Sequence, residues 1–254
     1  MIPYSLYLIA GLFLPLFPLS MLFNVLYGRF HNKYMRCLQL LLWPQAGLAI
    51  FSIYGGVVPT WIVVWSLLTS LLYALRALAL RDVGLWTSFF ATSAWALLWI
   101  LLGNGAKPLQ LALYSLGISV PLILMTLLGA GLERRFGAAY LGLYGGLAHS
   151  IPRFSGILVV VVLAIVASPL FPSFFGMLSI ILKAVSVEPL VAIGIAIVWL
   201  LWSWAGARLL QGLIIGPVRM AATDLTKTTL WFYIAVLGGL VVAGVYWSGE
   251  MLWT

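Results

Sequence analysis

Charge is what this chain has least of: only 7% of its 254 residues are Asp, Glu, Lys or Arg, and five of those are acidic. A soluble domain carries about 25% charged residues, so this composition excludes a water-facing globular surface. A single cysteine, Cys37, excludes an internal disulfide and a Cys-rich metal site. The carboxylates Asp82, Glu133, Glu188, Asp224 and Glu250 are dispersed outside the centres of the apolar runs and form no cluster, which argues against a hard-cation site. There is no phosphate-cradling glycine loop, zinc pattern or nucleophile elbow, so the chain holds no catalytic constellation and no cofactor is expected. Thirteen Lys and Arg give a net charge of +8, but they stand singly between apolar runs and make no stripe for nucleic acid.

What is abundant is apolar length. Hydrophobic residues make up 64% of the chain, and the mean hydropathy is +1.16. Stretches near 4–27, 37–55, 58–80, 84–103, 109–132, 154–170, 172–187, 189–212 and 229–248 are each about as long as a helix needs to cross hydrocarbon. Continuous apolar runs without period-two alternation select helices over a barrel. The expected fold is therefore an all-α polytopic bundle of about nine spans, one transmembrane domain over 1–254. The first run has no preceding basic region and no clear small-residue cleavage pattern, so it reads as a retained span. No internal repeat is apparent. The aromatic pairs and triplets Trp61, Trp65, Trp199, Trp202 and Trp204 read as interfacial anchors.

With nine spans, alternate gaps fall on alternate sides. One side then holds Arg29, Lys33, Arg36, Arg76, Arg81, Arg134, Arg135, Arg153 and Lys183, and the other holds Lys107, Arg208, Arg219 and Lys227. The excess makes the first set cytoplasmic, with the N-terminus outside and the C-terminus inside a prokaryotic inner or cell membrane.

The most informative segment runs Leu143-Tyr144-Gly145-Gly146-Leu147-Ala148-His149-Ser150-Ile151-Pro152-Arg153. An apolar span follows, then Ser168-Pro169-Leu170-Phe171-Pro172 and Phe175-Gly176. Pro169 and Pro172 each remove a helix donor and clash with preceding carbonyls. They mark either a surface turn or a broken helix at depth, and transporters place ion sites at such breaks. The order of "GGL", a "PR" dipeptide, a span and a proline-to-"FxG" stretch resembles the antiporter-like proton-conducting subunits of respiratory complex I and of Mrp-type cation antiporters. The resemblance covers 127–219, back to Leu127 and forward to about Arg219, and implies the later half of such a subunit. It also implies other membrane subunits as partners, among them a full-length antiporter-like subunit, in a complex I-like, Mrp-like, membrane hydrogenase or energy-coupled inorganic-carbon uptake assembly.

The departures are as telling. Met177 stands where many members carry an acidic residue, and Pro121 stands near the place of a buried Lys. The chain is also about half a full subunit in length. Few candidates remain for an ion path: Lys183 beyond the break, the prolines themselves, and His149, whose ordinary pKa lies near neutrality. Lys183 near a span end also reads as a snorkelling residue, and His149 as a plain loop residue. Arg76 and Arg208 read as lipid or partner contacts through snorkelling guanidinium groups. The leading expectation is a non-catalytic membrane subunit of a larger proton- or cation-coupled complex. A self-contained secondary transporter and a purely structural scaffold are the alternatives.

Overall fold

The computed structural model describes residues 4–54, 58–217 and 222–252. It is all-α: α1 (Tyr4–Phe13), α2 (Ser20–Arg29), α3 (Lys33–Tyr54), α4 (Thr60–Ala79), α5 (Val83–Ala96), α6 (Leu98–Gly103), α7 (Pro108–Phe136), α8 (Leu147–Ser150), α9 (Pro152–Ile165), α10 (Pro172–Val187), α11 (Pro189–Ile214) and α12 (Lys227–Leu252). Six helical segments are long and apolar enough to cross a membrane: Lys33–Ile53, Thr60–Ala79, Val83–Gly103, Pro108–Phe136, Pro189–Ile214 and Lys227–Gly249. This is an integral membrane chain.

Local chemistry sets the helix ends. Proline occupies the first turn of α7, α9, α10 and α11, where its missing N–H has no helical partner to lose. Asp82 caps α5 by accepting the Leu85 N–H at 2.8 Å. Gly137 ends α7 with φ 81°, a left-handed conformation that glycine adopts freely.

Not every apolar run is one straight span. The expected first span at 4–27 breaks between Phe13 and Ser20, where Pro15 and Pro18 interrupt the apolar run. Its two halves still make one passage along α3. Trp99, which packs against Phe51 of α3, also meets Tyr7; Trp43 meets both Phe13 and Phe23; and Arg36 lies over Tyr27. The runs 154–170 and 172–187 likewise form a single broken passage. Arg135 at the end of α7 lies over Phe154 of α9, whereas Tyr114 near the start of α7 reaches Met177 of α10. The nine runs thus make eight passages among the described residues. The α5–α6 passage is the most enclosed of the six long segments, at 83% buried against 22% for α12.

Eight passages put Tyr4 and Leu252 at the same end of the bundle, which corrects the expectation of a C-terminus opposite the N-terminus. The charges regroup accordingly. Arg208 reaches the Leu78 carbonyl, and the chain just before Lys227 meets Arg135 and Arg153, so Arg208 and Lys227 join Arg29, Lys33, Arg36, Arg76, Arg81, Arg134, Arg135 and Arg153 at one end. Lys107 and Lys183 lie at the other. Arg219 and the expected turn at 55–57 lie outside the described residues.

Candidate functional site

The α9–α10 break spans residues 166–171. Ala167 and Leu170 hold φ 56° and 87°, costing on the order of 1–3 kcal/mol each for residues with a Cβ. A helix interrupted inside hydrocarbon must find new partners for its freed carbonyls. Here Trp199 of α11 donates its indole N–H to the carbonyls of Val166 and Ala167 at 3.1 and 3.2 Å. Ser173 donates to Ala164 at 2.8 Å, and Ser168 donates to Leu163 at 2.7 Å. Neighbouring helices approach through glycine. A Cβ on Gly117 of α7 would lie 2.9 Å from Pro172 Cβ, one on Gly206 of α11 would lie 2.6 Å from Val166, and one on Gly244 of α12 would run into the Leu170 carbonyl. The break is thus packed on three helices, with Pro169 and Leu170 left exposed.

The α1–α2 break is built the same way. Trp99, Trp65 and Trp43 donate to the carbonyls of Leu14, Phe17 and Leu12 at 2.9, 2.8 and 3.1 Å, and the Phe17 N–H goes to Thr69 Oγ1 at 3.1 Å. Trp65 and Trp199, expected as interfacial anchors, therefore supply donors to broken helices, while Trp61 and Trp204 are exposed. Both breaks carry the same tetrapeptide, Pro15-Leu16-Phe17-Pro18 and Pro169-Leu170-Phe171-Pro172. The second copy was the missed signal in the sequence, where no repeat was apparent.

Charge is absent from the space between the breaks. Among the described residues every buried polar side chain is neutral, a hydroxyl or an amide. Several pair with a neighbour, Tyr27 with Thr126 at 2.8 Å, Asn24 with Thr92 at 3.2 Å, half-buried Gln45 with Ser115 at 2.9 Å, and Trp202 with Ser93 at 2.9 Å, while Ser119 Oγ has no hydrogen-bond partner. Met177, where the resemblance calls for an acidic residue, is fully enclosed; the Tyr114 hydroxyl lies 3.8 Å from its sulfur while donating to the Ala94 carbonyl at 3.0 Å. Pro121 is buried inside α7. No group of His, Cys, Asp and Glu among the described residues could hold a metal ion.

The structure brings Pro169 and Pro172 together but separates the other candidates. Lys183 lies in α10, 11 residues and about 16 Å past Pro172, between exposed Leu182 and Val185. His149 is exposed on α8 at the opposite end. Arg76 is exposed, and Arg208 donates to the Leu78 carbonyl at 2.5 Å beside Arg81 and an open hollow of about 360 Å³.

Two features at the basic end were not legible in the sequence. Asp224, in the segment before α12, accepts the N–H groups of Arg153, Phe154 and Leu225 at 2.9, 3.0 and 2.7 Å, capping α9 from 70 residues away. Beside it opens a cleft of about 720 Å³ between α3, α7, α9 and α12. Tyr144, in the loop after α7, donates to the Ala138 carbonyl at 2.7 Å and stacks on Phe136. Burial pushes its hydroxyl up to about 12; the Tyr140 N–H opposes this, and Glu133 and Asp82 add to it.

No family model matches the sequence, and no curated protein matches it. Solved structures do match the fold. A chain of respiratory complex I from Thermus thermophilus aligns with a TM-score of 0.82 at 20% identity, covering 96% of this chain and 54% of that one. A chain of the membrane-bound sulfane sulfur reductase, an archaeal respiratory membrane complex, aligns at 0.79 and 17% identity, covering 95% and 52%. A chain of the Mrp complex from Dietzia sp. aligns at 0.73 and 15%, covering 96% and 55%. The fold is the one expected from the resemblance, and this chain spans about half the length of each of the three chains it matches.

Proposed function

We propose that this chain is a membrane subunit of a larger proton- or cation-coupled complex and that it conducts no ion through its own interior. One observation carries the reading: the chain has the fold of chains from respiratory and Mrp complexes, yet no Asp, Glu, Lys, Arg or His is buried among the described residues, and Met177 and Pro121 stand at or near the positions where the resemblance calls for charges. Ion coupling through a span needs a group that changes charge. The two breaks are instead closed by indole, hydroxyl and glycine contacts, which suit a fixed wall more than a gate. Its partners are other membrane subunits, among them a full-length antiporter-like subunit, and we read the segment 127–219, on the resemblance in its motifs, as the counterpart of the later half of such a subunit. The basic end faces the cytoplasm of a prokaryotic cell, with both described ends of the chain on the outer side.

The test is isolation from native membranes in mild detergent followed by native mass determination. The expected species contains at least one further membrane subunit. A monomer that transports ions in liposomes by itself would establish the self-contained transporter instead.

A further inference from the structure

We infer that the cleft at the basic end binds the phosphate of an anionic phospholipid. Its walls carry Lys33 from α3 and Arg134 and Arg135 from α7, against the single carboxylate of Asp224. That carboxylate is already committed to three backbone N–H groups, so it offers a cation little. Arg135 is partly committed too, donating to the carbonyls of Thr223 and Gly131 at 2.8 and 3.0 Å while its guanidinium covers Phe154. Arg134 is exposed and Lys33 half-exposed, leaving both positioned to meet an anion. The starts of α3 and α12 lie around the same cleft, and their dipoles add positive potential, while Arg134 and Arg135 offset the negative end of α7 and Asp224 occupies the start of α9.

The surroundings select a lipid as the source of the phosphate. The cleft sits at the end of the bundle where nearly all basic residues gather. Its rim continues into apolar faces that the fold leaves uncovered: Tyr34, Met35, Leu38 and Leu42 of α3 are 67, 49, 48 and 53% exposed, and Trp231 and Phe232 of α12 are 65 and 51% exposed. A phosphodiester held by Lys33 and Arg134 would let its acyl chains run along these two faces. A free phosphate uses the cations but none of the apolar surface, and a zwitterionic lipid brings its own ammonium to a site already positive.

The test uses the chain within its native assembly, reconstituted in nanodiscs of phosphatidylcholine alone or with phosphatidylglycerol, and reads lipid retained after detergent extraction by native mass spectrometry. Wild type should retain phosphatidylglycerol over phosphatidylcholine, and Lys33→Gln with Arg134→Gln should weaken retention by about five-fold per cation removed. The charge-preserving pair Lys33→Arg and Arg134→Lys should retain it, which separates loss of charge from loss of fold. Added inorganic phosphate should not displace the lipid. Equal retention by wild type and the neutral double variant would overturn the inference. So would displacement by millimolar phosphate, which would make this a free-anion site.

Discussion

Replacing Asp224 by alanine should unfasten the start of α9. Ile151 occupies the cap position of that helix and has no side-chain acceptor, and Pro152 follows without an N–H, so the first amides needing a partner are those of Arg153 and Phe154. Both go to the Asp224 carboxylate, at 2.9 and 3.0 Å. A hydrogen bond to a charged group contributes about 1.5–3 kcal/mol net, and loss of a helix cap costs about 0.5–2 kcal/mol. Asp224 is half-exposed, so water replaces part of the roughly 3 kcal/mol that two such bonds contribute at the low end of their range, leaving a local cost of about 2–3 kcal/mol. That corresponds to amide exchange about 30- to 150-fold faster at Arg153 and Phe154, measured by hydrogen exchange on the detergent-solubilised protein. Asp224→Asn keeps an acceptor but loses the charge, and should accelerate exchange by only about five-fold. Exchange in Asp224→Ala within about two-fold of wild type would refute the assignment of the carboxylate as the cap of α9.

Gly244→Ala should lower stability by about 1–3 kcal/mol, because its methyl meets the Leu170 carbonyl, whereas Gly239→Ala, with open space around it, should be neutral; chemical unfolding in detergent distinguishes them. The loop holding Tyr144 should loosen in alkali. The folded hydroxyl titrates near 12 and the unfolded one near 10, so the neutral form stabilises the fold below pH 10, and that contribution is lost as pH rises from 10 to 12; in Tyr144→Phe this pH dependence should vanish from loop proteolysis. Lys183→Gln should leave ion-coupled transport of the assembled complex within about two-fold of wild type, and a loss beyond ten-fold would return Lys183 to the ion path. Reporter tags placed at the two ends of the chain should both be reached from the side opposite the basic end, and labelling from opposite sides would contradict eight passages.

Most of the long helices were legible because hydrocarbon length is written directly in apolar run length. α4, α5–α6, α7 and α11 fall where the runs do. The failures came where one pattern has two physical meanings. Pro169 and Pro172 read equally as a turn between two spans or a break within one. What decides is Trp199, 30 residues on, whose indole holds the freed carbonyls at depth. That choice changes the parity of the passages, which puts Arg208 and Lys227 at the basic end of the bundle and Lys183 and Leu252 at the opposite end. Pro15 and Pro18 carried the same signal, hidden by the apolar residues around them. The candidate site was legible at its two prolines, at Met177 and at Pro121, since each is an identity at a position. Asp224 was not, because a lone carboxylate in a loop says nothing of a helix start 70 residues earlier.

The neutrality of the interior has an electrical consequence. A transmembrane potential acts on a protein through the charges that lie within its drop, at about 2.3 kcal/mol per elementary charge for each 100 mV crossed. Among the described residues this chain places none of its buried side chains in that category, and Lys107 and Lys183 sit near one edge of the drop while the other cations sit near the other. Voltage therefore finds almost nothing here to pull on. A gating current from this protein alone should be undetectable.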